Sequence, residues 1–153
     1  MTTAEPPASF MHLVVGYDGS PPAARALDAA VRMLQGRTGK IEVVYVAHLS
    51  SVVMLSADAI AEMESDFGEI EQELRAQAAE QLGGQTEAWG FLRRQGMIAE
   101  ELIATATGLQ EAGPTGTVVV IVVGSSSHAT HRVVGSVAVS LARHSPVPVI
   151  IVP

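Results

Sequence analysis

At 153 residues the chain has the length of one ordinary domain, and a net charge of −7 with Lys40 as its single lysine excludes a basic surface for duplex DNA or an anionic membrane. The absence of cysteine excludes disulfides, thiol catalysis and thiolate metal sites, and fits a reducing compartment. With 48% hydrophobic but only 4% aromatic residues, the core must be built from Val, Ile, Leu and Ala, which suits a parallel sheet covered by helices and argues against a Trp/Tyr-lined carbohydrate site.

Residues 1–10 are polar and proline-containing, without the basic and apolar regions of a signal peptide. They are expected to form a disordered leader, with one domain over 11–153. His12 to Gly16 reads as a short buried strand ending at Tyr17-Asp18-Gly19-Ser20. Ser20 followed by Pro21 starts a helix: a capping hydroxyl, then a residue whose φ is already helical. Ala24, Leu27, Val31 and Leu34 form one apolar face of that helix, and Gly36 closes it. The β-branched run from Ile41 to Ala47 predicts a second strand. After a mixed loop from His48 to Ser56, a long helix carries Ile60, Met63, Phe67, Ile70 and Leu74 at 3–4 spacing and ends at Gly83-Gly84. Half of the sixteen acidic residues lie between Asp58 and Glu80, where they read as a solvated helix face.

Trp89 to Arg94 is the expected third strand, and Gly96 opens a helix carrying Ile98, Leu102 and Ile103. Thr117 to Val123 is apolar throughout, as a central parallel strand buried on both faces should be. A Gly/Ser-rich loop runs from Gly124 to Gly135. A helix over 136–144 places Arg143 and His144 at its negative end, and Val147 to Val152 is the last strand. The order βαβαβαβαβ, with short connections, predicts a five-stranded parallel sheet with helices on both faces. Ligands of such sheets sit beyond the carboxyl ends of the strands where the strand order reverses. With order 3-2-1-4-5, that point lies between strands one and four, flanked by Gly16 to Ser20 and Gly124 to Ser136.

Both loops carry candidates. Gly124-Ser125-Ser126-Ser127 leaves a buried strand in a turn whose amides and hydroxyls can cradle an anion, and Gly135-Ser136-Val137 opens a helix whose free amides favour one. The same residues could equally serve only to make the turn and cap the helix. Asp18 could accept a ribose hydroxyl or help hold a metal, or it could simply accept backbone amides in an Asp-Gly turn. His128 and His131 have no third partner to complete a metal site, and Arg132 is the loop's one cation. No P-loop, no G-x-G-x-x-G and no G-x-S-x-G occurs, and no carboxylate pair suggests acid–base chemistry.

From Leu13 to Pro153 the chain resembles the universal stress protein family. The resemblance is carried by Val14-Val15-Gly16-Tyr17-Asp18-Gly19-Ser20, Val43-Val44-Tyr45-Val46-Ala47-His48, Gly96-Met97-Ile98-Ala99-Glu100, Val120-Ile121-Val122-Val123-Gly124-Ser125, Gly135-Ser136-Val137 and Ser145-Pro146-Val147-Pro148-Val149. It implies the same 3-2-1-4-5 α/β sheet, of Rossmann-like, adenine-nucleotide-alpha-hydrolase-like type, in cytoplasmic homodimers that pair through the last strand, here Val147, Val149, Ile150, Ile151 and Val152. One branch of the family binds ATP through G-x2-G-x9-G-[ST]. By that resemblance Gly124 is the first glycine, Gly135 and Ser136 the final pair, Asp18 the ribose ligand, Ala47 or His48 the adenine wall, and Val137 an amide donor to phosphate. Gly16, Tyr17, Val123, Ser125, Ser126, Ser127 and Ala138 complete the implied nucleotide site.

The pattern is broken in two places. Ser127 stands where the second glycine should be, and the stretch from Gly124 to Gly135 is two residues short of the pattern. The shortened loop either still holds ATP, AMP or a cyclic nucleotide, with Mg2+ accompanying it, or belongs to a degenerate site as in the branch that does not bind ATP. The expectation is an adenine-nucleotide-binding stress-response regulator with no protein-bound metal and no membrane or nucleic-acid partner. The alternatives are a ligand-free protein-interaction module and a slow ATPase.

Overall fold

The computed structural model describes residues 9–48, 55–84, 88–125 and 135–153. Five strands, β1 (Met11–Gly16), β2 (Gly39–Ala47), β3 (Trp89–Gln95), β4 (Val118–Gly124) and β5 (Val149–Val152), form one parallel sheet in the order β3-β2-β1-β4-β5. Four helices connect them: α1 (Pro21–Leu34), α2 (Ala57–Leu82), α3 (Ile98–Ala112) and α4 (Ser136–His144). Both the strand order and the alternation are those the sequence predicts.

Side-chain alternation along the strands divides the interior into two cores. Leu13 and Val15 of β1, Ile41 and Val43 of β2, and Val120 and Val122 of β4 pack with Ala26, Leu27, Ala30 and Val31 of α1 and with Leu74, Ala78 and Leu82 of α2. On the other face Val14, Val44, Val119, Ile121 and Val123 pack with Ala99, Leu102 and Ala106 of α3 and with Ala138 and Leu141 of α4. The central strand β4 has helices on both sides, so its run of Val and Ile needs no polar alternation.

The helix boundaries follow their caps. Ser20 Oγ accepts the Ala23 amide at 3.4 Å and opens α1 ahead of Pro21 and Pro22. Ser56 Oγ does the same for Ala59 at 3.3 Å, and Gly83, in the left-handed region, ends α2. Phe10 is already part of the ordered domain, since its carbonyl accepts the Val118 amide at 2.8 Å. Residues 1–8 of the expected leader lie outside the described residues.

Several expected strand boundaries move by one or two residues, among them the start of the last strand. β5 begins at Val149, so Val147, expected in the last strand, precedes it. The cause is local: Ser145 Oγ accepts the Val147 amide at 3.2 Å and donates to the Val147 carbonyl at 2.7 Å, closing both of its backbone groups into a turn, and Pro148 has no N–H to give.

Candidate functional site

Because β1 and β4 are neighbours whose following chains leave in opposite directions, the sheet opens at their carboxyl ends. A cleft of about 260 Å³ lies there, just below the ~300–1,000 Å³ range of small-molecule pockets. It is lined by Gly16, Tyr17 and Asp18 after β1, by Val123, Gly124 and Ser125 at the end of β4, and by Gly135, Ser136, Val137 and Ala138 at the start of α4. The structure thus brings together the two loops expected to meet. Ser126, Ser127, His128, His131 and Arg132 lie outside the described residues.

Each wall has a physical origin. The backbone of β4 reaches the cleft through Gly124, where a Cβ would run into the Pro22 backbone and stand 2.6 Å from Pro22 Cβ. Glycine is therefore required at this position by the close approach of α1, whatever else the loop holds. Ser125 is fixed by its amide, which donates to the Val152 carbonyl at 2.8 Å. Gly135 is the N-cap of α4 with φ −63° and ψ 160°, and no side chain caps the helix. The first helical bond is made by the Val139 amide to the Gly135 carbonyl at 3.0 Å. The amides of Ser136, Val137 and Ala138 are consequently outside the helical ladder, at the positive end of the α4 dipole, along the cleft.

Asp18 makes the turn that one of its two readings expects. Its Oδ1 accepts the Ser20 amide at 3.0 Å, the expected Asx turn, and Gly19 completes that turn at φ +77° against Leu74 of α2. Asp18 is nonetheless exposed and lines the cleft. Tyr17 contributes differently from its neighbours. Its amide donates to the Val44 carbonyl at 2.9 Å, and its side chain is buried in the α1/α2 core. Burial raises the pKa of its hydroxyl, with the nearby Asp18 and Asp28 carboxylates adding to the effect, so the phenol stays neutral at physiological pH.

Ala47 and His48 do not line the cleft. Strand β2 contributes Val44, Tyr45 and Val46 instead, because β1 ends at Gly16, in register with Val44, whereas β2 runs on beside β3. Ala47 is buried and its carbonyl accepts the Gly96 amide at 3.1 Å, while His48 Nδ1 lies 3.2 Å from the Gly96 carbonyl. Sequence reasoning did not single out Pro22 and Ala23 of α1 or Ile98 and Leu102 of α3, which form the apolar floor. The signal was present in the i, i+4 spacing of Ile98 and Leu102 in the first turn of a helix that starts at this end of the sheet.

Chemically, the cleft joins apolar walls to a group of backbone amides. Asp18 is the one charged side chain among its described lining residues. Among the described residues, no three His, Asp or Glu side chains gather where a metal ion could be held, and no helix is long and apolar enough to cross a membrane.

The family model that describes universal stress proteins matches residues 9–153. The chain belongs to the universal stress protein family. Solved structures of similar fold include the universal stress protein UspA from Lactobacillus plantarum, with 22% identity, a TM-score of 0.75, and coverage of 95% of this chain and 99% of that one. A universal stress protein in complex with cAMP is similar at 22% identity and a TM-score of 0.65, covering 95% and 98% of the two chains. The universal stress protein from Archaeoglobus fulgidus in complex with dAMP aligns at 19% identity and a TM-score of 0.59, covering 94% and 98%. No curated protein matches the chain.

Proposed function

We propose that this universal stress protein binds an adenine nucleotide in the cleft between β1 and β4 and acts as a cytoplasmic stress-response regulator. The observation that carries the proposal is the convergence of the uncapped α4 N-terminus, the Gly124–Ser125 end of β4 and Asp18 on one apolar-walled cleft. The chemistry fits the parts of a nucleotide. The amides of Ser136, Val137 and Ala138 would hold phosphate oxygens. The Asp18 carboxylate would accept a ribose hydroxyl, and Val44, Val46, Ile98 and Leu102 would cover a base. Complexes of two family members with cAMP and dAMP support a monophosphate as the first ligand to try. A magnesium ion, if it enters with ATP, would be held mainly by the phosphates, since Asp18 is the one carboxylate at hand.

The proposed role is binding without turnover. Among the described lining residues no nucleophile stands beside a base, and a single exposed carboxylate already bonded to the Ser20 amide is a poor general base. The protein is further proposed to be a homodimer through β5, whose outer edge has no strand beside it among the described residues. Calorimetric titration of nucleotide-free protein with AMP, cAMP, and ATP with and without magnesium tests the binding. Saturable one-to-one binding of at least one of them is expected. No heat with any of them at millimolar ligand would reject the reading.

A further inference from the structure

Helix α2 is far longer than its packing requires. At 26 residues it spans about 39 Å, yet its buried residues are only Leu74, Ala78 and Leu82, in its last third. From Ala57 to Glu73, about 25 Å of helix, no residue is buried. This stretch is not polar all round. Ile60, Met63, Phe67 and Ile70 recur at spacings of 3, 4 and 3 and continue the stripe on which Leu74 sits. Ile60 and Ile70 are 47% and 39% exposed, and neither Met63 nor Phe67 joins either core.

The two borders of this stripe differ in charge balance. On one border Glu64 and Glu71 are neutralised by Arg93 of β3, at 3.2 and 3.5 Å, and Arg75 adds a second cation to Glu71 at 3.2 Å. Helical spacing places Asp66 and Glu73 along the other, with Glu62 and Glu69 one row further round on the same side, and among the described residues no cation pairs with any of the four. An apolar seam with an uncompensated acidic rim selects its occupant by charge. An antiparallel second copy would bring the same acidic rim against this one, and anionic lipid would be repelled.

We propose that the overhanging half of α2 is a docking surface for a cationic amphipathic segment of another protein. Such a segment would lay apolar residues against Ile60, Met63, Phe67 and Ile70 and lysines or arginines against Glu62, Asp66, Glu69 and Glu73.

The test is fluorescence anisotropy of the full-length protein with a labelled peptide of about 18 residues. Its leucines follow 3–4 spacing and its remaining positions are lysine. Two further peptides serve as controls, one with glutamate in place of lysine and one with the leucines scrambled off the stripe. Saturable binding of the first peptide is expected, at least tenfold tighter than either control and weakened by salt. Ile60→Ser with Phe67→Ser, and separately Glu62→Lys with Asp66→Lys and Glu69→Lys, should each weaken it at least tenfold while the chain stays folded by circular dichroism, because these residues lie outside both cores, Phe67 being half-buried. The proposal is overturned if no peptide binds, if the scrambled peptide binds equally, or if the Ile60/Phe67 variant retains full affinity. Sedimentation showing self-association that the Ile60/Phe67 variant abolishes would make a second copy the occupant and would also overturn it.

Discussion

Two glycines on the cleft wall hold their places for different reasons, and substitutions can separate them. At Gly124 a methyl group collides with the Pro22 backbone, which sits in the first turn of α1 and cannot step aside as a flexible side chain would. Gly124→Ala should therefore cost about 1–3 kcal/mol in urea denaturation, with or without ligand; an unchanged midpoint would mean the approach of α1 is looser than described. Gly135 is unlike this, because φ −63° and ψ 160° are open to any residue and Asp is a good N-cap. Gly135→Asp should fold normally while placing a carboxylate where phosphate is proposed to sit. A third residue, His12, matters to stability. It is buried on β1 with Nε2 lacking a hydrogen-bond partner, 3.8 Å from Glu42, whose carboxylate is held by Lys40 at 3.0 Å. Burial lowers the His12 pKa, Lys40 lowers it further, and the attraction of Glu42 opposes both without prevailing. The folded value thus lies below the unfolded value of about 6.5. The stability contribution is complete above that pH and is lost as pH falls through the folded value. Urea midpoints at pH 7.5 and 5.5 should fall further for the native chain than for His12→Phe; equal falls would remove His12 from the account.

Among the elements, those whose two faces are both covered were the most legible. The run from Val118 to Val123 has no alternation because α1 and α3 cover opposite sides of β4, and α1 was bounded by Ser20 and its apolar spacing. The start of β5 was not legible, because the side chain of Ser145 takes both backbone groups of Val147 out of the ladder, a competition that hydrophobicity does not record. In α2 the stripe was read correctly as periodic. How little of it is covered depends on the length of α2 relative to the elements beneath it, which a periodicity does not contain. Hydrogen exchange should divide this helix in two: amides from Leu74 to Leu82 should exchange at least tenfold more slowly than those from Ile60 to Ile70 in the isolated protein. Uniform protection along α2 would mean that the overhang is held by more than the Arg93 ion pairs.

For the whole molecule, the position of the cleft was legible because topology fixes it: a parallel sheet of order 3-2-1-4-5 opens where β1 and β4 part, and the loops after both are rich in Gly and Ser. Its side walls were less legible, since contributions from Val44 to Val46 rather than Ala47 and His48 depend on where β1 stops along β2. The Ile121 amide donates to Pro148 and the Ser125 amide to Val152, so parallel geometry turns Ile150 and Val152 toward β4 and leaves the backbone groups of Val149 and Ile151 facing outward. If copies pair through β5, Ile151→Pro should remove an outward donor and give a folded monomer by sedimentation, whereas Ile150→Pro should destabilise the chain itself. An Ile151→Pro dimer as tight as the native one would place the interface elsewhere. Binding of a nucleotide phosphate at the first turn of α4 is tested most directly by the backbone amide resonances of Ser136, Val137 and Ala138 during titration with AMP. These three should shift together and saturably in the native protein, and Gly135→Asp should abolish the shifts while leaving the remaining spectrum folded. Saturable binding with those amides unmoved, or shifts that persist in Gly135→Asp, would contradict it.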